Sequence, residues 1–279
     1  MLNVDGLKKR VKRMKNKKHV GPKILIFDIE TSPLLVHTWS LYGDMSIGVS
    51  QLKEDWQVLS WSAKWLHEKK VMYCDQRKAK KITNDKELIK GIWKLLDEAD
   101  IVITQNGKKF DVRKLNAKFV ENELGPPSPF KHIDTRMLAK SKFDLPSYSL
   151  EYMTKKFCKK YEKRKSRKFI GHDLWNECMD GNIAAWKEME LYNKTDVLAL
   201  EELYHFFKGW DDSVNMNLYS DNETLLCNSC GHHDLEKRGF AYTASGKFQI
   251  HRCKKCNHWT RSKINLFSKE KRASIKVRA

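Results

Sequence analysis

The run KILIFDI (23–29) constrains the fold more than any other part of this sequence. Its β-branched and apolar residues suit a strand buried on both faces in the middle of a sheet, and Gly21-Pro22 marks the boundary before it. A strand of that kind must be covered by neighbours. LVHTWSL (35–41), QVLSWSAKWL (57–66) and KVMYCD (70–75) read as strands, expected to pair successively with the first in hairpin fashion. Helices and strands then alternate. A helix begins at Thr83-Asn84-Asp85 with Leu88, Ile89, Ile92, Trp93, Leu95 and Leu96 on one side, followed by a strand, IVIT (101–104). The next helix runs from about Asp111 to Glu123 and is closed by Gly125-Pro126-Pro127. HIDT (132–135) is a further strand, SLEYMTKKF (149–157) a helix, and a long helix extends from Ile183 to Phe207. Strands first and then strands alternating with helices predict an α/β protein, with a mixed sheet covered by helices.

The 279 residues hold one substantial domain and a small satellite, and 41% apolar residues suffice for a real core. With 54 basic and 35 acidic residues the net charge is +19, which disfavours self-association and attracts polyanions, nucleic acid first. A monomer is expected. No apolar run is long enough for a membrane span, and no apolar segment follows the basic N-terminus as a secretory signal would require. Two C-x-x-C pairs among seven cysteines suit a reducing compartment, so the expected location is intracellular, in cytoplasm or nucleoid. Residues 1–20, with eight basic groups and no acid in LKKRVKRMKNKK (7–18), read as a disordered arm. The main domain spans 21–210 and a polar linker 211–222. A cysteine-bearing module covers 223–262 and a basic tail 263–279.

Three groups of acids stand out by position. Asp28 and Glu30 end the central strand, and period-two alternation puts both on one face. Two carboxylates in an apolar setting repel and lose hydration, so they call for a cation, although a strand end running into solvent would tolerate them too. Asp111 opens a helix after the turn Gln105-Asn106-Gly107, where a helix-terminal role is the simple alternative. Asp196 shares a helical face with Tyr192, beside Ala199 and Leu200, and an acid directed at a core is uncommon.

The order and context of these acids resemble the DEDD, or DnaQ-like, exonuclease superfamily with its RNase H-like fold. Phe27-Asp28-Ile29-Glu30-Thr31 resembles its first motif and Asn106-Gly107-x-x-Phe110-Asp111 its second. Tyr192-x-x-x-Asp196-Val197 resembles its third. His132-Ile133-Asp134-Thr135 and Ser149-Leu150 resemble connecting segments, and the similarity covers about 23–207. One branch has a histidine where this chain has Leu191, whereas the tyrosine at 192 resembles the DEDDy branch. The Asn-Gly-x-x-Phe-Asp form is closer to stand-alone enzymes than to polymerase proofreading domains. The resemblance implies 3′ to 5′ phosphodiester hydrolysis with two Mg²⁺ or Mn²⁺ ions. It implies Asp28 on both ions, Glu30 and Asp196 on the ion carrying the attacking water, and Asp111 supporting the second. Tyr192 would orient the nucleophile. DNA is the favoured substrate, single-stranded or at frayed ends. A structure-specific endonuclease on the same core and an inactive nucleic-acid-binding module are the alternatives.

Asp134 reads as structural. Seven basic residues lie between Lys159 and Lys168, and Lys163, Arg164, Lys165 and Arg167 are expected, with Asn106, to contact the nucleic acid. Trp39, Trp56, Trp61, Trp65 and Trp175 could stack on bases, but core packing is the stronger reading for each.

Cys227-x-x-Cys230-Gly231-His232 and Cys253-x-x-Cys256-Asn257-His258 are two versions of one loop. Gly or Asn after the pair permits a left-handed turn that aims backbone amides at sulfur. Alternating residues on both sides of Ser245-Gly246 predict a hairpin between the pairs. This is a zinc ribbon signature, with one structural Zn²⁺ on Cys227, Cys230, Cys253 and Cys256. It resembles the ribbons of transposases and other DNA-binding proteins. Cys74, Cys158 and Cys178 read as small apolar residues.

Overall fold

Strand β1 (Ile24–Thr31) occupies the centre of a sheet whose other members are gathered from the next hundred residues. In the computed structural model, residues 21–40, 46–79, 81–161, 168–221 and 223–276 are described. The arm 1–20 and the basic residues Lys163, Arg164, Lys165 and Arg167 lie outside the described residues. After β1 come β2 (Leu35–Val36), β3 (Leu52–Glu54), β4 (Val58–Trp65), β5 (Val71–Asp75), α1 (Lys86–Glu98) and β6 (Ile101–Thr104). They are followed by α2 (Asp111–Glu121), β7 (Lys131–Asp134), α3 (Thr135–Lys142), α4 (Leu150–Phe157), α5 (Asp173–Met179) and α6 (Ile183–Phe207). The sheet order is β5-β4-β1-β6-β7, with β4 antiparallel to β1 and β5, and β1, β6 and β7 parallel. The fold is thus the expected mixed sheet between helices.

One hairpin expectation fails. The segment LVHTWSL does not join the main sheet: only Leu35–Val36 is extended, paired with β3. The register of β1 breaks after Glu30 and Ser32-Pro33 follows, so the chain leaves the sheet where proline can no longer donate to a ladder. The antiparallel partner of β1 is instead β4.

The two faces of β1 carry different burdens. Leu25, Phe27 and Ile29 pack with Leu88, Ile89, Ile92 and Leu96 of α1 and with Leu115 and Phe119 of α2. Each such fully buried side chain contributes about 2 kcal/mol. The other face holds Ile26, Asp28 and Glu30, and α6 lies across it, against β1, β4 and β5. Helices α3 and α4 pack on α6 around Leu203 and Phe207, and α5 lies beside α6 on the sheet, with Leu174 and Cys178 against Leu59 of β4. A helix enclosed on both sides must be apolar around most of its circumference, which explains why α6 buries Trp186, Met189, Val197, Leu200 and Leu203 at such varied angles. The short helices α3 and α5 are additions to the sequence reading, and the predicted α6 matches the observed span.

Chain contacts divide the molecule into a unit spanning Lys23–Ser213 and a second that includes the residues from Val214 onward. The second contains an antiparallel sheet of β8 (Leu235–Thr243), β9 (Gly246–Cys253) and β10 (Trp259–Asn265), in the order β10-β9-β8. The turn between β8 and β9 is Ala244-Ser245, one residue earlier than expected. Gly246 begins β9, and a Cβ at that position would lie 2.6 Å from the Phe248 ring. Strand β10 runs on to Asn265, past the predicted module end at 262, and α7 (Lys269–Ser274), capped by Ser268, lies within the expected tail. Part of the expected linker 211–222 is also folded. Met216–Tyr219 form a 3-10 turn, and the Asn217 side chain brackets Leu226 through both its N–H and its carbonyl. Hydrogen bonding by Asn217, rather than any helical periodicity, holds this segment, so periodicity does not reveal it.

Lys64 on β4 faces α6 and is 5% exposed, with its Nζ 2.6 Å from Glu201. Removing one member of a buried pair leaves the other charge uncompensated. Glu201→Ala is therefore expected to cost about 3 kcal/mol in urea unfolding, while Lys64→Met with Glu201→Leu should recover most of that loss.

Candidate active site and cysteine cluster

The end of β1 and the middle of α6 meet at three carboxylates. Oxygens of Asp28, Glu30 and Asp196 all lie within 4.8 Å of one another. Strand alternation puts Asp28 and Glu30 on the α6 side, and Asp196, at 2% exposure, projects from the helix to meet them. Like charges at that spacing repel strongly unless hydrogen bonds and a cation offset them. Two neutral donors are present. Asn193, fully buried and one turn before Val197, donates its Nδ2 to Asp28 Oδ2 at 2.7 Å. Trp175 on α5 donates its indole N–H to Glu30 Oε2 at 3.2 Å. The Asn193 Oδ1 is buried with no hydrogen-bond partner among the described residues. Leaving that oxygen unpartnered costs about 1–3 kcal/mol, the penalty of keeping the N–H end turned towards the carboxylate.

Tyr192 is 9% exposed and belongs to the apolar cluster of Leu59, Leu174, Cys178, Trp186 and Met189. Its ring meets Trp175 edge to face, centroids 5.8 Å apart. Tyr192 therefore stands behind the indole that holds Glu30.

Asp111 does not share the three-carboxylate cluster. It is 3% exposed at the start of α2, and its Oδ1 accepts the Ile29 amide at 3.2 Å, between the two strand acids. Burial pushes its carboxyl up to about 7, against the lowering effect of the Ile29 amide. The residue thus joins the second motif to the first through a hydrogen bond to β1.

Asp134 organises the loop between them. Its carboxylate accepts the amides of Asn106, Lys108, Arg136 and Met137 at 3.0–3.2 Å, so it caps α3 and holds the loop 105–108 at once. The structural reading of Asp134 agrees with these contacts. Asn106 adopts φ 65°, and its Oδ1 accepts Arg136 Nη1 at 2.8 Å. Gly107 is required by close approach, since a Cβ would lie 2.3 Å from Thr104 Oγ1. Asp28, Glu30, Asp196, Asn106, Arg136 and Tyr148 line a cleft of about 370 Å³.

Of the tryptophans, Trp61 is core and donates to the Leu88 carbonyl, Trp39 is 96% exposed, and Trp56 lies under Lys114 Nζ at 3.7 Å. Trp175 and Asn193 are the site residues that motif spacing misses. The pattern Leu174, Trp175, Cys178 and Met179 has helical periodicity and could have located α5, but nothing in it points to Glu30.

In the second unit the sulfurs of Cys227, Cys230, Cys253 and Cys256 lie within 4.8 Å of one another, and no histidine joins them among the described residues. Cys227 and Cys256 sulfurs are 3.5 Å apart, and those of Cys230 and Cys253 3.6 Å. A disulfide would need about 2.05 Å. Thiolates on one zinc, at about 2.3 Å from the metal, would be about 3.8 Å apart. Both loops have the same backbone. Cys227 N–H donates to His232 O and Gly231 N–H to Cys227 O, with Cys253, His258 and Asn257 repeating the pattern. Gly231 and Asn257 have φ 69° and 61°, the left-handed turns expected there.

A family model described as the RNase_H superfamily matches residues 25–207. The chain belongs to the RNase H superfamily. Among solved structures it is similar to the family B DNA polymerase from the hyperthermophilic archaeon Pyrobaculum calidifontis, at 14% identity and a TM-score of 0.46. That match covers 70% of this chain and 26% of the polymerase, so the chain spans about a quarter of its length. A comparison with curated proteins finds no match.

Residues that orient metal-ligand candidates typically matter 10- to 100-fold for metal affinity or turnover. Asn193→Leu and Trp175→Phe are each expected to weaken Mn²⁺ binding in that range, measured by calorimetry, with melting temperature nearly unchanged. Unaltered Mn²⁺ affinity in both variants would show that these bonds only pack the helices.

Proposed function

We propose that this protein is a metal-dependent 3′ to 5′ exonuclease of the DEDDy type, acting on single-stranded or frayed ends with DNA favoured. The observation carrying this reading is the convergence of Asp28, Glu30 and Asp196 from the first and third motifs in one open cleft. Hard carboxylate oxygens suit Mg²⁺ or Mn²⁺, so the donor set fits the expected ions. When bound, two such ions neutralise charge on the scissile phosphate and ease deprotonation of water. Asp28, Glu30 and Asp196 would hold them. Asp111 supports the set from behind, fixed on the Ile29 amide. Asn193 fixes the rotamer of Asp28, and Trp175 that of Glu30, so little reorganisation is left when substrate arrives. Tyr192 packs on Trp175 and acts by orientation, since an ordinary phenol with a pKa of about 10 is a poor base at neutral pH. Asn106 and Arg136, in the same cleft, offer hydrogen bonds to the strand end. The basic segment with Lys163, Arg164, Lys165 and Arg167 is assigned to backbone contact.

The second unit is assigned as a zinc ribbon that aids substrate binding. Four thiolates fill a tetrahedral site without an open position, so this metal would hold structure rather than perform chemistry. Among the described residues no helix is long and apolar enough to cross a membrane.

End-labelled single- and double-stranded DNA and RNA, incubated with Mg²⁺ or Mn²⁺, should give ladders shortened from the 3′ end. Asp28→Asn should slow that hydrolysis more than about 100-fold. Cutting of a covalently closed single strand would establish an endonuclease instead, and intact substrates under every condition would leave only a binding module.

Stripping the cysteine site, by a strong chelator or by Cys227→Ser, should unfold the residues around β8–β10 while the thermal transition of the main domain persists. Hydrogen exchange would separate the two. Simultaneous loss of protection in β1 and α6 would refute an independent structural role.

A further inference from the structure

We infer that one face of the β8–β9–β10 sheet is a stacking platform for single-stranded nucleic acid, built from Lys237, Phe240, Tyr242 and Lys247. The inference rests on the nucleic-acid reading above and deepens it, and it starts from an irregularity in β8. The register between β8 and β9 slips between Lys237 and Phe240, where Gly239 adopts φ 73°. Without that slip, Lys237 and Phe240 would point to opposite faces. With it, Lys237, Phe240 and Tyr242 lie across from His251, Gln249 and Lys247, and all belong to one face.

That face exposes what a soluble sheet normally hides. Phe240 is 43% and Tyr242 67% exposed. Lys247 lies over both rings, its Nζ 3.9 Å from the Phe240 centroid and 5.9 Å from that of Tyr242. Because β8 is the edge of the sheet, the pair is reachable from the side as well as from above. The three strands contain one acid, Glu236, against Lys237, Arg238, Lys247, Arg252, Arg261 and Lys263. Glu236 pairs across the sheet with Arg252, which puts it on the opposite face, and its carboxylate is 3.0 Å from Arg238 Nε. No acidic side chain of these strands therefore faces Phe240 and Tyr242. The occupant that complements two exposed rings flanked by ammonium groups is a polyanion with free π-faces.

This chemistry distinguishes strands by their stacking. In a duplex the base faces are already stacked on one another, whereas a single strand offers them to aromatic side chains in a way that tolerates sequence. Phosphates would meet Lys237 and Lys247. Stacking and ammonium–phosphate contacts do not depend on a 2′-hydroxyl, so single-stranded DNA and RNA should both bind.

The test uses the full chain in Ca²⁺, without Mg²⁺ or Mn²⁺. Fluorescence anisotropy is read with labelled oligothymidylate, oligouridylate and a duplex of equal length. Wild type should bind both single strands more tightly than the duplex. Phe240→Leu with Tyr242→Leu should weaken single-strand binding about tenfold or more at unchanged salt dependence. Lys247→Gln should instead reduce the salt slope by about one. Zinc content and melting temperature report whether each variant is folded, and Tyr242→Ser, at the most exposed ring, serves if the double variant is not. Duplex binding equal to single-strand binding, or aromatic variants that bind like wild type, would overturn the inference. Hydrolysis of a short oligonucleotide is scored separately. A protein that binds but never cuts refutes the nuclease reading alone, and one that cuts with its aromatic variants binding normally refutes the platform alone.

Discussion

Repulsion among Asp28, Glu30 and Asp196 is the constraint around which the main domain is arranged. Their oxygens share a space of 4.8 Å, and one of the three residues is almost wholly buried. A pair of charges at about 4 Å interacts by roughly 4 kcal/mol at the effective dielectric of a partly buried site. That is a large fraction of the stability of an ordinary domain. Asn193 and Trp175 orient two of these carboxylates through neutral donors. The packing of α6 on the sheet, flanked by α3, α4 and α5, holds the arrangement in place, with Lys64 and Glu201 tying the same helix to β4. Stability supplied elsewhere in the fold keeps together three carboxylates that could hold a metal ion.

The second motif reaches the site through backbone rather than through charge. Asp134 gathers four amides, two from the loop after β6 and two from α3, and so fixes the loop that carries Asn106. Parallel pairing of Thr104 with Asp134 brings the ends of β6 and β7 side by side, which is why one carboxylate can serve both segments. Gly107 allows the loop to lie against Thr104, and α2 then starts where Asp111 can reach the Ile29 amide. A change in any of these contacts would act on the cleft by displacing Asn106 or Asp111, at a distance from the three clustered carboxylates.

The parts of this architecture that were legible in the sequence are those carried by a continuous apolar segment or a duplicated motif. The apolar run before Asp28, the helix Ile183–Phe207 and the duplicated Cys-x-x-Cys-Gly/Asn loops are each a local signal that one backbone geometry satisfies. Asp28, Glu30 and Asp196 could be placed on definite faces for the same reason. Residues that work through a single tertiary contact left no such trace. Asn193 looks like one more polar residue on a helix, and Trp175 like one more core aromatic, until Asp28 and Glu30 are brought to them. The folded turn at Met216–Tyr219 is hidden likewise, because Asn217 makes its bonds to Leu226 and Asn228, far along the chain. Asp111 was expected to join the other acids, whereas it lies outside their cluster and engages the Ile29 amide, a contact no pattern announces.

The chain carries two donor sets of opposite chemical character, and the difference in their enclosure follows from what each can do. Four sulfurs framed by two matching loops form a closed set, in which every ligand comes from the protein and none remains for a substrate. Three carboxylates at the edge of a cleft of about 370 Å³ form an open set, and a metal held there would keep coordination positions for other oxygens. Soft thiolates prefer zinc, and hard carboxylates prefer magnesium or manganese, so neither set competes well for the other's ion. On the proposed reading, one metal would be a permanent part of the fold and another would exchange during turnover. Ligand type and access would make that selection.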